Sequence, residues 1–277
     1  MKFLYFLLYL VLLIFFIFSY NLFGFSKYLL VKETKFTQTQ PTKSSLEVYQ
    51  PTPTSFKLEV GERLEYIFNY FFLATIKLSF EVKEIMKIDN IDCFHIVATA
   101  QTQNFLKLLK NIKYKVHTYI DTKNCRPIKF LKYKIVGRKI TEELIDFDYS
   151  NGIAIWKYTG QPTKKIPIQK DTQDLLSLFY YFRFIAEQEK KYTFSMVYNG
   201  RVWPVTIEVN KPIILKYKGK KIKVFKIQPQ TQLLSYIIKG KTLTTYFTID
   251  SKRIPLMFEL SSAKRLTRGI LKDFLPK

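Results

Sequence analysis

Two aspartates, Asp146 and Asp148, are the residues of this sequence whose spacing could serve acid–base chemistry. They lie two positions apart in a stretch that alternates like a β-strand, so both side chains point to the same face. Two carboxylates held close together can divide the acid and base roles of a hydrolase. They can equally pair with Lys132, Lys134 or Arg138 on the neighbouring strand. We favour this structural pairing and assign no catalytic residue.

The histidines and cysteines, two of each, offer little further chemistry. His117 shares a predicted strand face with polar neighbours and is expected at the surface, whereas His95 is expected to be structural. Cys93 and Cys125 fall at the same edge of two neighbouring strands, where a disulfide is geometrically reasonable outside the cytoplasm; free buried thiols are the alternative. Zincin, serine-hydrolase, dithiol, Rossmann and P-loop motifs are absent. We therefore expect no metal, no cofactor and no enzymatic activity.

The composition suits a protein with a sizeable core and a basic surface. Hydrophobic residues make up 47% of the 277 residues, aromatics make up 17%, and the formal net charge is +23. Such a charge indicates either an anionic partner or a general richness in lysine. Because the lysines are spread along the whole chain, we favour the second interpretation.

The first residues bear on the compartment. Residues 3–18 read FLYFLLYLVLLIFFIF, which makes residues 1–26 a signal peptide or an N-terminal membrane anchor. We expect the body of the protein in the periplasm, with no nucleic-acid partner. If the segment is retained, residues 3–23 tether the protein to the inner membrane. Residues 27–57 are rich in Thr, Gln and Pro and are predicted to be a disordered linker.

Residues 58–277 are predicted to form a single, mainly β domain. Alternating apolar and polar residues recur in short runs, and Asn151-Gly152 stands between two of them, which is a strong hairpin signal. Short connections imply antiparallel neighbours. A dozen or so strands exceed what a flat twisted sheet tolerates, so we predict a strongly curved meander that forms a half-barrel or barrel-like sheet.

One segment, DTQDLLSLFYYFRF at residues 171–184, has helical rather than strand spacing. A helix over about 171–187 with Asp171 as its N-cap is predicted, and it is apolar nearly all round, as buried helices are. We expect it to pack as a plug or lid over the concave side of the sheet. Simple completion of the core is the alternative.

Five stretches, in order, resemble motifs of a bacterial exported family known as domain of unknown function 3108. They are Val60–Tyr66, Tyr119–Asp121 with Cys125–Phe130, Phe147–Tyr149, Gln173–Arg183 and Arg253–Pro255, so the resemblance covers roughly residues 58–270. Leu175 stands where the family commonly has proline. The resemblance implies an envelope protein with a β-rich fold and no established reaction. It marks Asp121, Asp148, Asp174 and Arg183 as motif residues.

These observations favour a non-enzymatic envelope protein that binds an apolar or amphipathic ligand, such as a lipid, or a protein partner in the concavity of its sheet. A scaffolding domain with a filled core is the alternative, and a hydrolase using Asp146 and Asp148 is a weaker one. The residues expected to line the ligand site are Tyr66, Phe68, Phe80, Phe147, Leu175, Phe179 and Phe182.

Overall fold

The computed structural model describes residues 58–70, 74–104, 107, 111–237, 241–262 and 265–272. Fifteen strands and two helices lie within these described ranges. The strands are β1 Arg63–Tyr70, β2 Ala74–Ile88, β3 Ile91–Gln103, β4 Ile112–Asp121, β5 Pro127–Val136, β6 Lys139–Asp148, β7 Ile153–Tyr158, β8 Lys164–Pro167, β9 Lys190–Tyr198, β10 Arg201–Val209, β11 Ile213–Tyr217, β12 Lys220–Ile227, β13 Lys241–Thr248, β14 Pro255–Ser262 and β15 Arg265–Leu271. The helices are α1 Leu175–Ile185 and α2 Gln232–Ile237.

Thirteen of these strands form one antiparallel sheet in the order β11-β12-β13-β14-β15-β1-β2-β3-β4-β5-β6-β7-β8. The first and last strands of the domain meet in the middle, where Ile67 of β1 pairs with Ile270 of β15. Strands β8 and β11 are the two outer strands. The sheet is therefore an up-and-down meander, as the sequence predicts.

The sheet curls strongly toward its apolar face. The hydroxyl of Tyr217 on β11 donates to the carbonyl oxygen of Leu271 on β15 at 2.8 Å, although three strands lie between them in the sheet order. Four flat strand spacings would separate them by about 19 Å, which a tyrosine side chain cannot span. The predicted barrel-like curvature is confirmed.

An up-and-down meander brings alternate connections to the same edge of the sheet. We call one of these the α1 edge, because both ends of α1 are bound there; it carries the β2–β3, β4–β5, β6–β7, β11–β12 and β13–β14 connections. The other is the α2 edge, because α2 follows β12 there; it carries the β1–β2, β3–β4, β5–β6, β7–β8, β12–β13 and β14–β15 connections.

Helix α1 begins later than the sequence indicated. Its N-cap is Asp174, not Asp171, and its first residue is Leu175, the position at which the related motif has proline. The residues before it are held in another conformation, because the backbone of Gln173 bonds to Ser195 and Val197 of β9. The predicted helix exists, but its bounds contract from about 171–187 to 175–185.

Both faces of α1 are covered, which explains why it is apolar nearly all round. On the sheet side, the Phe179 ring lies parallel to that of Phe80 on β2, with centroids 5.0 Å apart. On the other side, Tyr181 meets Phe194 of β9 edge-on at 5.9 Å. The β9–β10 hairpin, which is not part of the large sheet, therefore packs over the helix.

The Asn151-Gly152 turn differs from the two-residue hairpin turn that the sequence predicts. Strands β6 and β7 do pair, but four residues join them, and the carboxylate of Asp148 accepts bonds from Ser150 and Asn151. The expected backbone, with positive φ at both central residues, occurs instead at Asn199-Gly200, which joins β9 and β10.

The predicted segments 1–26 and 27–57 lie outside the described residues. No described helix is long and apolar enough to cross a membrane. The predictions of a signal peptide or anchor and of a linker stay predictions.

Candidate functional site

An apolar cavity of about 160 Å³ lies between the concave face of the sheet, α1, α2 and the β9–β10 hairpin. Each of these elements contributes side chains to its wall. The lining residues are Phe80, Ala98, Val116, Leu175, Leu176, Leu178, Phe179, Phe182, Met196, Val205, Ile207, Ile227, Pro229, Thr231, Leu233, Leu234, Leu243, Thr245, Phe247 and Phe258. None of these residues is charged, so the cavity offers a surface of hydrocarbon.

The accessible side of the cavity faces the α2 edge. Pro229 and Thr231 precede α2, Leu234 lies within it and Leu243 lies near the start of β13; all four are partly exposed, as are Leu175 and Phe179 on α1. Deeper in the wall, Ala98 and Val116 are fully buried. We call the four partly exposed residues around α2 the mouth of the cavity.

Four of the seven residues expected to line a ligand site are in the cavity wall: Phe80, Leu175, Phe179 and Phe182. The structure does not bring the other three to the cavity. Tyr66 lies behind Phe80, and its hydroxyl donates to the carbonyl oxygen of Pro255. The ring of Phe68 lies flat over Gly269 of β15, where any Cβ would clash with it.

Phe147, the third, packs near the start of α1 instead. Its ring lies parallel to that of Tyr149 at 5.9 Å, and the Tyr149 hydroxyl donates to the carbonyl oxygen of Thr172 at 2.8 Å. All three rings lie on the apolar side of the sheet, as expected. A strand pattern specifies the face of a residue but not its position along the concavity, so it cannot tell which of these aromatic residues line this cavity.

Several lining residues had no signal in the sequence. Met196, Val205 and Ile207 come from the β9–β10 hairpin, whose alternation looks like that of any other strand pair. Leu233 and Leu234 belong to α2, a helix too short to give a clear period. Their contribution depends on tertiary packing alone.

The N-terminal end of α1 is fixed by a buried carboxylate. Oδ1 of Asp174 accepts bonds from the backbone N–H groups of Leu176 and Ser177 at 2.7 and 2.8 Å, and the Ser177 hydroxyl accepts from the Asp174 N–H. Oδ2 accepts a bond from the Thr118 hydroxyl of β4. Burial raises the pKa of Asp174 to about 6, although these hydrogen bonds act in the opposite direction.

The C-terminal end of α1 is fixed by a buried cation. Arg183 is 1% exposed, and its guanidinium donates two parallel bonds to the Glu62 carboxylate at 2.7 and 2.8 Å. It also donates to the carbonyl oxygen of Lys252 in the β13–β14 connection. Burial acts to lower the pKa of Arg183, but the bonds and charge of Glu62 outweigh it and keep that pKa above its ordinary value.

The other two motif residues, Asp121 and Asp148, stabilise turns at the α1 edge. Asp121 is 3% exposed and accepts bonds from the backbone of Lys123 and Asn124. The same turn presents the carbonyl oxygen of Cys125 to the side chain of Gln173, just before α1. All four motif residues therefore position α1 or the turns beside it, and none of them lines the cavity.

Asp146 and Asp148 bind different partners in this arrangement. Asp146 lies opposite Lys129 and pairs with it at 3.3 Å, while Asp148 binds its own turn. The expected cross-strand ion pair is therefore present, but its cation differs from those predicted. The register of β5 and β6 places Lys129 opposite Asp146. Lys132, one of the partners considered, instead pairs with buried Glu143, which also accepts a bond from Trp156 at 2.7 Å.

The two histidines contact each other across β3 and β4. Nε2 of His95 lies 2.9 Å from Nδ1 of His117, and Nδ1 of His95 lies 3.2 Å from a carboxylate oxygen of Glu84. Burial, with help from Lys115 and His95, lowers the pKa of His117 to about 4. His117 is thus half-buried rather than solvated. Among the described residues, no three His, Cys, Asp or Glu side chains are placed to hold a metal ion.

Cys93 and Cys125 are both buried and free. The disulfide that the sequence leaves open is not formed in this structure.

Together, the open curled sheet, the enclosed helix and the apolar cavity define an antiparallel protein of the β-barrel-like kind. A solved structure described as a beta-barrel-like protein of domain of unknown function DUF1849 from Brucella abortus is similar to it. That structure has a TM-score of 0.52 and 14% sequence identity over 76% of this chain and 94% of that one, so the likeness concerns the fold alone.

The chain belongs to the family described as "Protein of unknown function (DUF3108)", whose model matches residues 65–264. The family resemblance and the segment expected from the sequence motifs are confirmed. No curated protein matches the chain.

Proposed function

We propose that this protein is a non-enzymatic binding protein that holds the hydrocarbon part of an apolar or amphipathic ligand in the cavity beside α1. The observation that carries the proposal is the cavity itself: twenty described residues line it, none is charged, and only Thr231 and Thr245 bring polar side chains to it. An apolar group would lose contact with water there, at a gain of about 25 cal/mol per Å² of buried surface. A charged group would gain no partner.

The volume limits what the cavity can hold. At about 160 Å³ it is close to the engineered cavity of about 150 Å³ that stays dry and binds benzene. Sites for drug-sized ligands measure about 300–1,000 Å³. We therefore propose that the cavity takes one short hydrocarbon group or the end of a longer chain, while the polar part of the ligand stays at the mouth.

The structure of α1 supports binding rather than catalysis. Its two buried ionic groups, Asp174 and Arg183, are used by its own cap and by Glu62. They hold both ends of the helix, and Leu175, Phe179 and Phe182 between them form the wall. The position outside the cytoplasm, expected from residues 3–18, is part of the same proposal.

An octyl diazirine, which is uncharged and forms a covalent bond on illumination, tests the proposal on the full chain. Peptide mass spectrometry should locate its label at the mouth and wall, at residues such as Leu234, Leu243 and Phe247. The variant Leu243→Trp should reduce this labelling by filling the mouth. The matched variant Leu266→Trp, on a side chain that is 51% exposed and outside the cavity wall, should not reduce it.

Labelling confined to exposed residues, or labelling of the wall that is the same in both variants, would contradict the binding function. That result would favour the scaffolding alternative, in which the core is filled and the outer surface binds a partner.

A further inference from the structure

We propose that the α2 edge of the sheet docks on the surface of an anionic phospholipid bilayer. The proposal rests on the proposed function in one respect, namely that the bilayer is the source of the apolar group. It is carried by a separate observation, the distribution of charge between the two edges of the sheet.

The α2 edge carries basic residues and no acidic ones near its connections. Its six connections, each taken with the three strand residues on either side, contain no Asp or Glu. Five of the six contain lysine or arginine, and the β1–β2 connection contains neither. Among the described residues, the basic side chains exposed at this edge include Lys107, Lys113, Arg138, Lys139, Lys157 and Lys226.

The α1 edge is different, because carboxylates occur in most of its connections. They belong to Asp89, Asp121, Asp148 and Asp250, among others, and Asp171 lies between β8 and α1. Several of them bind their own turns, as Asp250 does through the backbone N–H groups of Lys252 and Arg253. Basic residues are spread over both edges. The two edges therefore differ in charge because the acidic residues lie near one of them.

The cavity opens at the edge of the sheet that lacks acidic residues. The mouth, formed by Pro229, Thr231, Leu234 and Leu243, opens at the α2 edge. The same edge exposes apolar side chains, including Ile140 at 59% and Leu266 at 51%. Exposed lysines and arginines around an apolar opening match an anionic head-group layer with hydrocarbon beneath it, and each basic residue near such a surface contributes about 1 kcal/mol.

Two matched isoleucines provide the test in the full chain. Ile140 lies at the α2 edge and Ile249, 44% exposed, lies at the α1 edge. Each is replaced by cysteine (Ile140→Cys or Ile249→Cys) and labelled with a nitrobenzoxadiazole dye, while the native cysteines are buried. Vesicles of phosphatidylcholine, with or without phosphatidylglycerol, are then added. Any attachment through residues 3–18 is common to both proteins.

We expect the dye at position 140 to shift to the blue and brighten with phosphatidylglycerol vesicles, and the dye at position 249 to stay unchanged. High salt should reverse the shift, because it screens exposed charges. Reversing two charges in Arg138→Glu with Lys139→Glu should lower the ratio of docked to free domain by at least about 25-fold, because the loss of each basic residue alone lowers it about fivefold. The control pair Lys123→Glu with Lys170→Glu, at the α1 edge, should not lower it.

Equal responses at the two positions, an equal response to phosphatidylcholine alone, or no effect of the charge reversal at Arg138 and Lys139 would overturn the proposal. Labelling of the cavity by octyl diazirine is measured without vesicles. If docking fails while the cavity is still labelled, only the membrane proposal is refuted. If docking occurs but the cavity is not labelled, the ligand-binding proposal is refuted.

Discussion

Arg183 in the last turn of α1 and Glu62 just before β1 are joined by two parallel hydrogen bonds, although 121 residues separate them in the chain. The pair attaches the C-terminal end of the helix to the start of β1, near the middle of the sheet, while Asp174 attaches the other end to β4 through Thr118. Because both ends of α1 are held, the side chains between them form a wall of fixed position. The fold thus builds the cavity by fixing one helix at two points.

Replacing Glu62 with glutamine should destabilise the protein by about 3 kcal/mol. Loss of one partner from a buried ion pair leaves the other charge without compensation, at a cost of about 3–5 kcal/mol. The lower end applies because the Glu62 side chain keeps 16% of its surface exposed, against 1% for Arg183. Urea unfolding followed by the fluorescence of Trp156 and Trp203, the two tryptophans of the chain, measures the change.

Glu59→Gln is the matched control for that experiment. Glu59 pairs with Lys252, but both side chains are mostly exposed, so less than about 0.5 kcal/mol should be lost. Equal losses in the two variants would show that the Glu62 pair does not hold the helix.

The stability of the protein should depend on pH through Asp174. Burial raises the pKa of Asp174 in the folded protein to about 6, whereas an unfolded aspartate titrates near 3.9. The folded state then binds more protons than the unfolded state between these values, so the free energy of unfolding falls as pH rises. The stabilising contribution of Asp174 is fully present below about pH 4 and is lost above about pH 6. The free energy of unfolding falls by about 3 kcal/mol over this range.

Asp174→Asn should remove this slope and keep the cap, since asparagine is also a good N-cap. Urea midpoints between pH 4.5 and 7 for the two proteins give the difference. His117, whose pKa is lowered to about 4, contributes an opposite slope to both, so it cancels in the comparison. Asp148→Asn is the control: hydrogen bonds from Asn151 and Ser150 lower the pKa of Asp148 to about 2, below this range. An unchanged slope in Asp174→Asn would show that this carboxyl is not the titrating group.

The parts of the fold that are visible in the sequence are those fixed by local periodicity. Alternation predicts the strands, and in β5, Pro127–Val136, buried and partly buried residues alternate along most of its length. Helical spacing predicts α1. Its start was wrong because Asp171 and Asp174 are both acceptable caps, and the bonds of Gln173 to β9 decide between them. Membership of the sheet is likewise not local: nothing in the residues of β9 and β10 separates them from the other thirteen strands.

The candidate site could be predicted only in part for the same reason. The helix residues Leu175, Phe179 and Phe182 were identified because α1 presents one face to the sheet. Residues from the sheet depend on how far along the strand α1 crosses it, which is a tertiary property. Phe80 lies beneath the helix, whereas Phe68 lies over Gly269 in a neighbouring strand.

Phe179→Ala should enlarge the cavity and lower stability by about 2 kcal/mol. Truncation of a fully buried phenylalanine costs about 3–5 kcal/mol, and Phe179 is partly exposed. Its ring contacts those of Phe80, Phe247 and Phe258, which would then border the new space. Added 1-octanol should therefore raise the melting temperature of Phe179→Ala more than that of the unaltered protein, since a ligand that binds the folded state stabilises it.

Phe147→Ala is the control for this rescue, because Phe147 is buried outside the cavity wall. It should lose stability without gaining a greater response to octanol. If octanol stabilises both variants alike, its effect is not exerted in this cavity.

Cys93 and Cys125 should resist alkylation in the folded protein. They are 0% and 1% exposed, and burial raises the pKa of each thiol to about 12. At pH 8 only about one thiol in ten thousand would then be the reactive thiolate. Iodoacetamide should modify neither residue until urea unfolds the domain, and then both, as intact mass spectrometry would show. Since a disulfide would also block the reaction, unfolding is carried out without a reductant: two added groups mean free thiols, and none would mean that the protein isolated from its own compartment carries the Cys93–Cys125 bridge.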